Sequence, residues 1–139
     1  MTVSSGEVYL VDTSAAAGTE VTEVLKHELE AWTLAFSPAG DAVFSGGDDA
    51  CLRFAGGVVD GAEEGVGVQW ADRRAHGAGV TAILPLANED DVTITGSYDD
   101  CIRVVKTAKV GRKQVLAEEN LEGGVWRLKM LEEEQGESR

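Results

Sequence analysis

The chain has 139 residues, 43% of them apolar and 27% charged, which is enough material for the core of one ordinary domain. Its formal charge is −13 and it has no lysine- or arginine-rich run to track phosphates, so no direct nucleic-acid partner is expected and a basic protein partner fits better. No apolar run approaches the roughly 18 residues of a membrane span, and the opening MTVSSGEVYLVDTS lacks the basic start and long apolar stretch of a signal peptide, so the expected compartment is cytoplasmic.

In chain order, GEVYLVDTS (6–14) reads as a strand with a closing Asp12. After His27 come three apolar runs, WTLAF (32–36), AVFS (42–45) and CLRF (51–54), then a weaker fourth, VGVQW (66–70). The order recurs after His76, with VTAIL (80–84), VTITG (92–96), CIRVV (101–105) and QVLA (114–117). GGVWRLKM (123–130) reads as another first strand, and LEEEQGESR (131–139) as an acidic disordered tail or loop. β-branched and aromatic residues fill the runs while Gly, Asp, Ser and Asn fill the gaps, as in short antiparallel strands joined by tight turns.

The two copies match residue by residue. Gly46, Asp49, Cys51, Leu52 and Arg53 correspond to Gly96, Asp99, Cys101, Ile102 and Arg103, and His27 corresponds to His76. Four strands per repeat at a period of roughly 40 to 50 residues is the pattern of propeller blades. The expected fold is therefore all-β, an incomplete β-propeller with about two full four-stranded blades and parts of two more over residues 1–130. Such a partial propeller has open edges through which copies of the chain are expected to self-associate. In blades of this kind a His, a Ser or Thr ending the second strand and the turn Asp form a hydrogen-bonded chain, here His27, Ser45 and Asp49, then His76, Thr95 and Asp99. The Trp that usually completes the chain is missing, with Phe54 and Val104 or Val105 near its place. Cys51 and Cys101 occupy matching strand positions and read as small buried residues; no ligand spacing points to a metal, and no cofactor is expected.

HELEAWTLAFSPAGDAVFSGGDDACLR (27–53), HGAGVTAILPLANEDDVTITGSYDDCIRV (76–104) and GGVWRLKM (123–130), in that order, resemble the WD-repeat diphthamide biosynthesis proteins, the diphthine methyl esterase (diphthine methyltransferase) family. Generic WD40 repeats share the His and Asp; EAW…AF, SGGDD, HGAGV, TGSYDD and GGVWRLK are more specific to that family. The resemblance implies hydrolysis of the methyl ester of diphthine, the modified histidine of elongation factor 2, with that whole protein as the substrate and partner. The WDTR-like closure of the family is replaced by RFAGGVVD and RVVKTAK, and most of the propeller is absent, so impaired activity of this truncated chain is expected. The competing reading is a non-catalytic WD-repeat protein-interaction scaffold.

Ester hydrolysis requires a nucleophile or activated water, a base and donors for the oxyanion. There is no G-x-S-x-G elbow and no H-E-x-x-H pair, and because His27 and His76 recur in register with an Asp they read first as packing residues. The catalytic residues are left unassigned. Substrate-binding candidates lie instead on the rim where first strands begin and Asp turns sit: Glu30, Trp32, Asp48, Tyr98, Trp126 and Arg127. Trp32 and Trp126 occupy related first-strand starts where the intervening blade is aligned with Val80, so the repeat itself does not demand an aromatic there.

Overall fold

Among the described residues ten strands form, and each is short. In the computed structural model they are β1 (Glu7–Asp12), β2 (Glu20–Lys26), β3 (Ala31–Phe36), β4 (Ala42–Gly47), β5 (Leu52–Gly56), β6 (Gln69–Asp72), β7 (Val80–Pro85), β8 (Val92–Ser97), β9 (Cys101–Lys106) and β10 (Gln114–Asn120). The structure describes residues 4–12, 20–56, 69–87, 91–106 and 114–129. The proposed tail at 131–139 lies outside them. Among the described residues no helix is long and apolar enough to cross a membrane.

The strands assemble as three antiparallel sheets in chain order: the pair β1-β2, the four-stranded meander β3-β4-β5-β6, and a second meander β7-β8-β9-β10. The two complete meanders coincide with the two copies of the repeat. β2 was not expected from the sequence, and its register explains why. Val8 pairs with Leu25 but Tyr9 pairs with Glu23, so Val24 is an extra, bulged residue, and Val24 and Leu25 are both buried although adjacent. The bulge breaks the two-residue alternation by which a strand is recognised. In the other direction, residues 123–129 were expected as a first strand and form none, because no described strand runs beside them. Their backbone docks on the neighbouring sheet instead: Thr81 Oγ1 donates to the Val125 carbonyl and Val125 N–H donates to the Ser97 carbonyl at 3.4 Å.

The apolar core lies between sheets rather than within them. Val8, Val24 and Leu25 of the first sheet meet Ala31, Val43 and Ala55 of the second. On its other face the second sheet packs Phe44, Leu52 and Phe54 against Val80 and Ile83 of the third. Each fully buried side chain of this size contributes about 1.5–3 kcal/mol. The sheets approach closely at one repeated point. A Cβ placed on Gly46 would lie 2.4 Å from Val80 Cγ1, and one on Gly96 would lie 2.4 Å from Val125 Cγ1. The second strand of one blade therefore carries glycine where the first-strand valine of the next blade rests on it.

This contact makes the glycine a packing requirement. Gly46→Ala is expected to cost about 1–3 kcal/mol in urea unfolding, the range for an overpacked site. Gly123→Ala, where an added Cβ meets nothing within 4 Å, serves as the control and should change little. Equal stability of the two variants would contradict the close-packed interface.

Candidate functional site

Each blade is pinned by a histidine that enters from the preceding connection. His27 Nε2 lies 2.7 Å from Ser45 Oγ, and His27 Nδ1 lies 3.0 Å from Asp49 Oδ1. Asp49 also accepts the backbone N–H groups of Glu28 and Cys51, at 3.0 and 3.1 Å. One carboxylate thus ties the turn, the incoming chain and the imidazole together. Burial lowers the pKa of His27, and Asp49 only partly offsets this, so the ring is neutral at physiological pH.

The second copy is wired differently. His76 Nε2 sits 2.7 Å from Thr95 Oγ1, matching His27 and Ser45, but its Nδ1 is buried without a hydrogen-bond partner. Asp99 faces Arg103 instead, at 3.1 Å (Nη1 to Oδ1) and 2.6 Å (Nη2 to Oδ2), and accepts from the N–H groups of Gly77 and Cys101. The cross-strand neighbour decides this. Arg103 lies opposite Glu118 of β10, whose carboxylate accepts from Nε at 2.5 Å, whereas Arg53 lies opposite Ala71 and stays 4.0 Å from Asp49. Burial raises the Asp99 pKa, but the hydrogen bonds from Arg103 and the backbone outweigh it and bring it down to about 2. His76 is pushed down to about 4, first by burial and then by the Arg103 guanidinium.

Ser45, His27 and Asp49 have the connectivity of a hydrolytic triad. Access decides against that role: Ser45 is 0% exposed and His27 1%, so no carbonyl carbon reaches the hydroxyl. Thr95 is equally closed. Among the described residues no group of three or more His, Cys, Asp or Glu side chains is placed to hold a metal ion.

The sequence candidates on the rim are brought together in large part. Glu30 Oε1 accepts the Trp32 indole N–H at 2.8 Å, and the Glu30 carbonyl accepts the Asp48 N–H at 2.9 Å. Trp32 reaches across to the next blade, where a Cβ on Gly79 would lie only 2.2 Å from its ring. Trp32 meets Tyr98 edge-on with centroids 5.9 Å apart, and Tyr98 meets Trp126 in the same manner at 4.9 Å. Tyr98 is 51% exposed and Trp126 62%. Arg127 is exposed, and no described contact ties it to the cluster.

The register corrects one alignment. In β3 the bulged residue is Trp32, between the pairs Ala31–Gly47 and Thr33–Gly46; in β7 it is Thr81, between Val80–Ser97 and Ala82–Gly96. The counterpart of Trp32 in the intervening blade is therefore Thr81, not Val80, and Val80 instead matches Val125, with which it shares the glycine contact. Two residues of the site escaped sequence reasoning, Gly79 and Gly124. Both stand where the first copy has Glu30; Gly79 leaves room for the Trp32 ring, while a Cβ on Gly124 would meet Trp126 Nε1 at 3.5 Å and the Tyr98 ring at 3.6 Å, ordinary contact distances. The signal was the replacement of glutamate by glycine in HGAGV and EGGVW.

Comparison with known proteins follows the same residues. A diphthine methyltransferase of Schizosaccharomyces pombe is 32% identical over 138 residues, covering 95% of this chain, and a diphthine methyltransferase of Homo sapiens is 36% identical over 104 residues, covering 74%. The chain belongs to the diphthine methyltransferase family. It spans 38% of the length of the S. pombe relative and 21% of the human one. No family model matches. Among solved structures, a chain of the mitotic checkpoint complex superposes with a TM-score of 0.72 at 18% identity, covering 91% of this chain and 36% of that one. The fold is thereby that of an incomplete WD40-type β-propeller, here on a diphthine methyltransferase-family sequence.

A groove of about 290 Å³ lies at the other end of the strands, between the β3–β4 and β7–β8 turns, lined by Pro38, Phe44, Phe54, Pro85 and Thr93 among others. None of the rim candidates reaches it. The aromatic rim and not this groove is the candidate site in this diphthine methyltransferase-family chain.

The wiring of His76 has a pH signature. Its pKa is about 4 when folded and about 6.5 when unfolded, so the unfolded chain binds the extra proton between these values and stability falls as pH drops through that window. Urea unfolding should register a loss on the order of 3 kcal/mol from this group between about pH 6.5 and 4, with His27 acting in the same direction. His76→Gln should flatten the slope; an unchanged slope would contradict the burial of a neutral imidazole there.

Proposed function

We propose that the protein hydrolyses the methyl ester of diphthine on elongation factor 2, in the cytoplasm, during diphthamide biosynthesis. The observation that carries this reading is the family relationship across 95% of the chain to a diphthine methyltransferase. Water adds to the ester carbonyl, methoxide departs and is protonated to methanol, and a carboxylate remains on the modified histidine. The substrate is a whole folded protein, which a broad exposed rim suits better than a deep pocket. An acidic surface also favours the approach of a cationic modified side chain, and the chain's −13 charge supports this.

Both histidines are buried within blades and bonded to Ser45 and Thr95, so acid–base work at neutral pH falls to exposed groups. On the described rim the exposed carboxylate besides Glu30, which holds the Trp32 indole, is Asp48, with Arg127 as the exposed cation available to a developing oxyanion. Ester hydrolysis driven by a carboxylate base proceeds through an activated water without an enzyme-bound ester.

Incubation with elongation factor 2 carrying methyl-esterified diphthine is expected to release methanol, with the matching mass loss on the modified histidine. Ser45→Ala should cost about 1–3 kcal/mol of stability through the lost imidazole bond while leaving turnover per folded molecule unchanged. Absence of methanol release from both this chain and its full-length parent, each folded, would sink the esterase reading and leave an interaction scaffold. Loss of turnover at unchanged stability in Ser45→Ala would make that hydroxyl the nucleophile.

A further inference from the structure

Three aromatic rings on three successive parts of the propeller meet at one rim, and two of them are more than half exposed. Adjoining exposed aromatic rings are a common mark of a binding surface. The repeat does not require it, since the position equivalent to Trp32 and Trp126 is Thr81 in the blade between, and the position equivalent to Tyr98 is Asp48. The packing of Trp32 over Gly79 is additional to the inter-sheet burial supplied by Val80 and Val125 resting on Gly46 and Gly96.

The geometry of the rings indicates what they recognise. Trp32 and Tyr98 are inclined at 63°, and Tyr98 and Trp126 at 74°, so their faces form walls at steep angles instead of one flat platform. Walls of this kind surround a compact group from several sides. The electrostatics select its sign. Aromatic faces are negative, the Glu30 carboxylate stands at one end, and by accepting the Trp32 indole N–H it increases the electron density of that ring. A primary ammonium holds its water tightly, whereas a quaternary ammonium spreads its charge over methyl groups and leaves water at small cost.

We propose that Trp32, Tyr98 and Trp126, with the Glu30 carboxylate, form a binding site for a quaternary ammonium group. The occupant is the trimethylammonio group of the modified histidine presented by the protein substrate, a step that rests on the function proposed above. Held there, the ammonium orients the side chain so that its ester lies among the remaining rim groups. Gly79 is glycine because a Cβ there would collide with the Trp32 ring, whereas a Cβ on Gly124 would stand in ordinary contact with Tyr98 and Trp126.

Choline is the probe, with its neutral analogue carrying carbon in place of nitrogen as the control, each titrated into the full chain while tryptophan fluorescence is read. Choline should perturb the fluorescence saturably and the neutral analogue should not. Tyr98→Ala is expected to weaken choline binding about three- to tenfold and Tyr98→Phe to retain it, since the face and not the hydroxyl is used. Equal response to both probes, no saturable response to choline, or undiminished affinity in Tyr98→Ala overturns the site. The outcome is separable from that of the reaction. Choline binding without ester hydrolysis would leave the site standing and remove the reaction, whereas hydrolysis with an unchanged KM in Tyr98→Ala would do the reverse.

Discussion

A valine of one blade rests on a glycine of the blade before it, at Val80 on Gly46 and again at Val125 on Gly96, and the rest of the molecule is arranged around that contact. Backbone and side chain approach so closely there that even one methyl group is excluded, which sets both the spacing of the sheets and the point at which each first strand starts. Sheets held at this spacing bury Leu52, Phe54 and Val80 between them. The histidine bonds act locally and reinforce it. His27 and His76 each fasten the chain entering a blade to the end of its second strand, two residues or fewer from the glycine.

The residue after the start of each first strand, after Ala31 in β3 and after Val80 in β7, lies in a bulge. A bulge re-aims the side chain it carries, and in β3 that side chain is Trp32, which leaves the sheet and crosses to the neighbouring blade over Gly79. Trp126 follows Val125 as Trp32 follows Ala31, and Tyr98 fills the gap from the turn between. The edge-on contacts are worth about 0.5–1.5 kcal/mol each. These contacts hold the rings together, and the proposed recognition of a substrate cation gives their half-exposed position a role. Relationship to the diphthine methyltransferases and the rim thus bear on the same proposal from separate directions.

Much of this fold was legible in the sequence, because the repeat could be read twice. Strands β3 to β5 and β7 to β9 lie on the predicted runs, and the order of the matched motifs carried the family. The losses have physical causes. β2 was hidden by its bulge at Val24, which places two buried residues side by side. The alignment of Trp32 with Val80 failed because a one-residue bulge in each first strand is invisible until the pairing is known. Arg53 and Arg103 look equivalent along the chain, yet only Arg103 captures its aspartate. That difference belongs to the strand opposite, where Glu118 stands against Arg103 and Ala71 against Arg53. The meeting of Trp32, Tyr98 and Trp126 likewise spans residues too far apart in sequence to be paired by pattern, although each had been placed on the rim singly.

The central claim is that the aromatic rim receives the modified side chain of the substrate. The three tryptophans provide the most direct test, since Trp70 is remote from the rim and stacks on Phe54 with ring centroids 5.3 Å apart. In a proton–nitrogen correlation spectrum their indole signals are separately assignable by single Trp→Phe substitutions. Addition of elongation factor 2 carrying methyl-esterified diphthine is predicted to shift or broaden the Trp32 and Trp126 signals well before Trp70, and unmodified elongation factor 2 to do so weakly. Equal perturbation of all three, or a response confined to Trp70, would contradict the account.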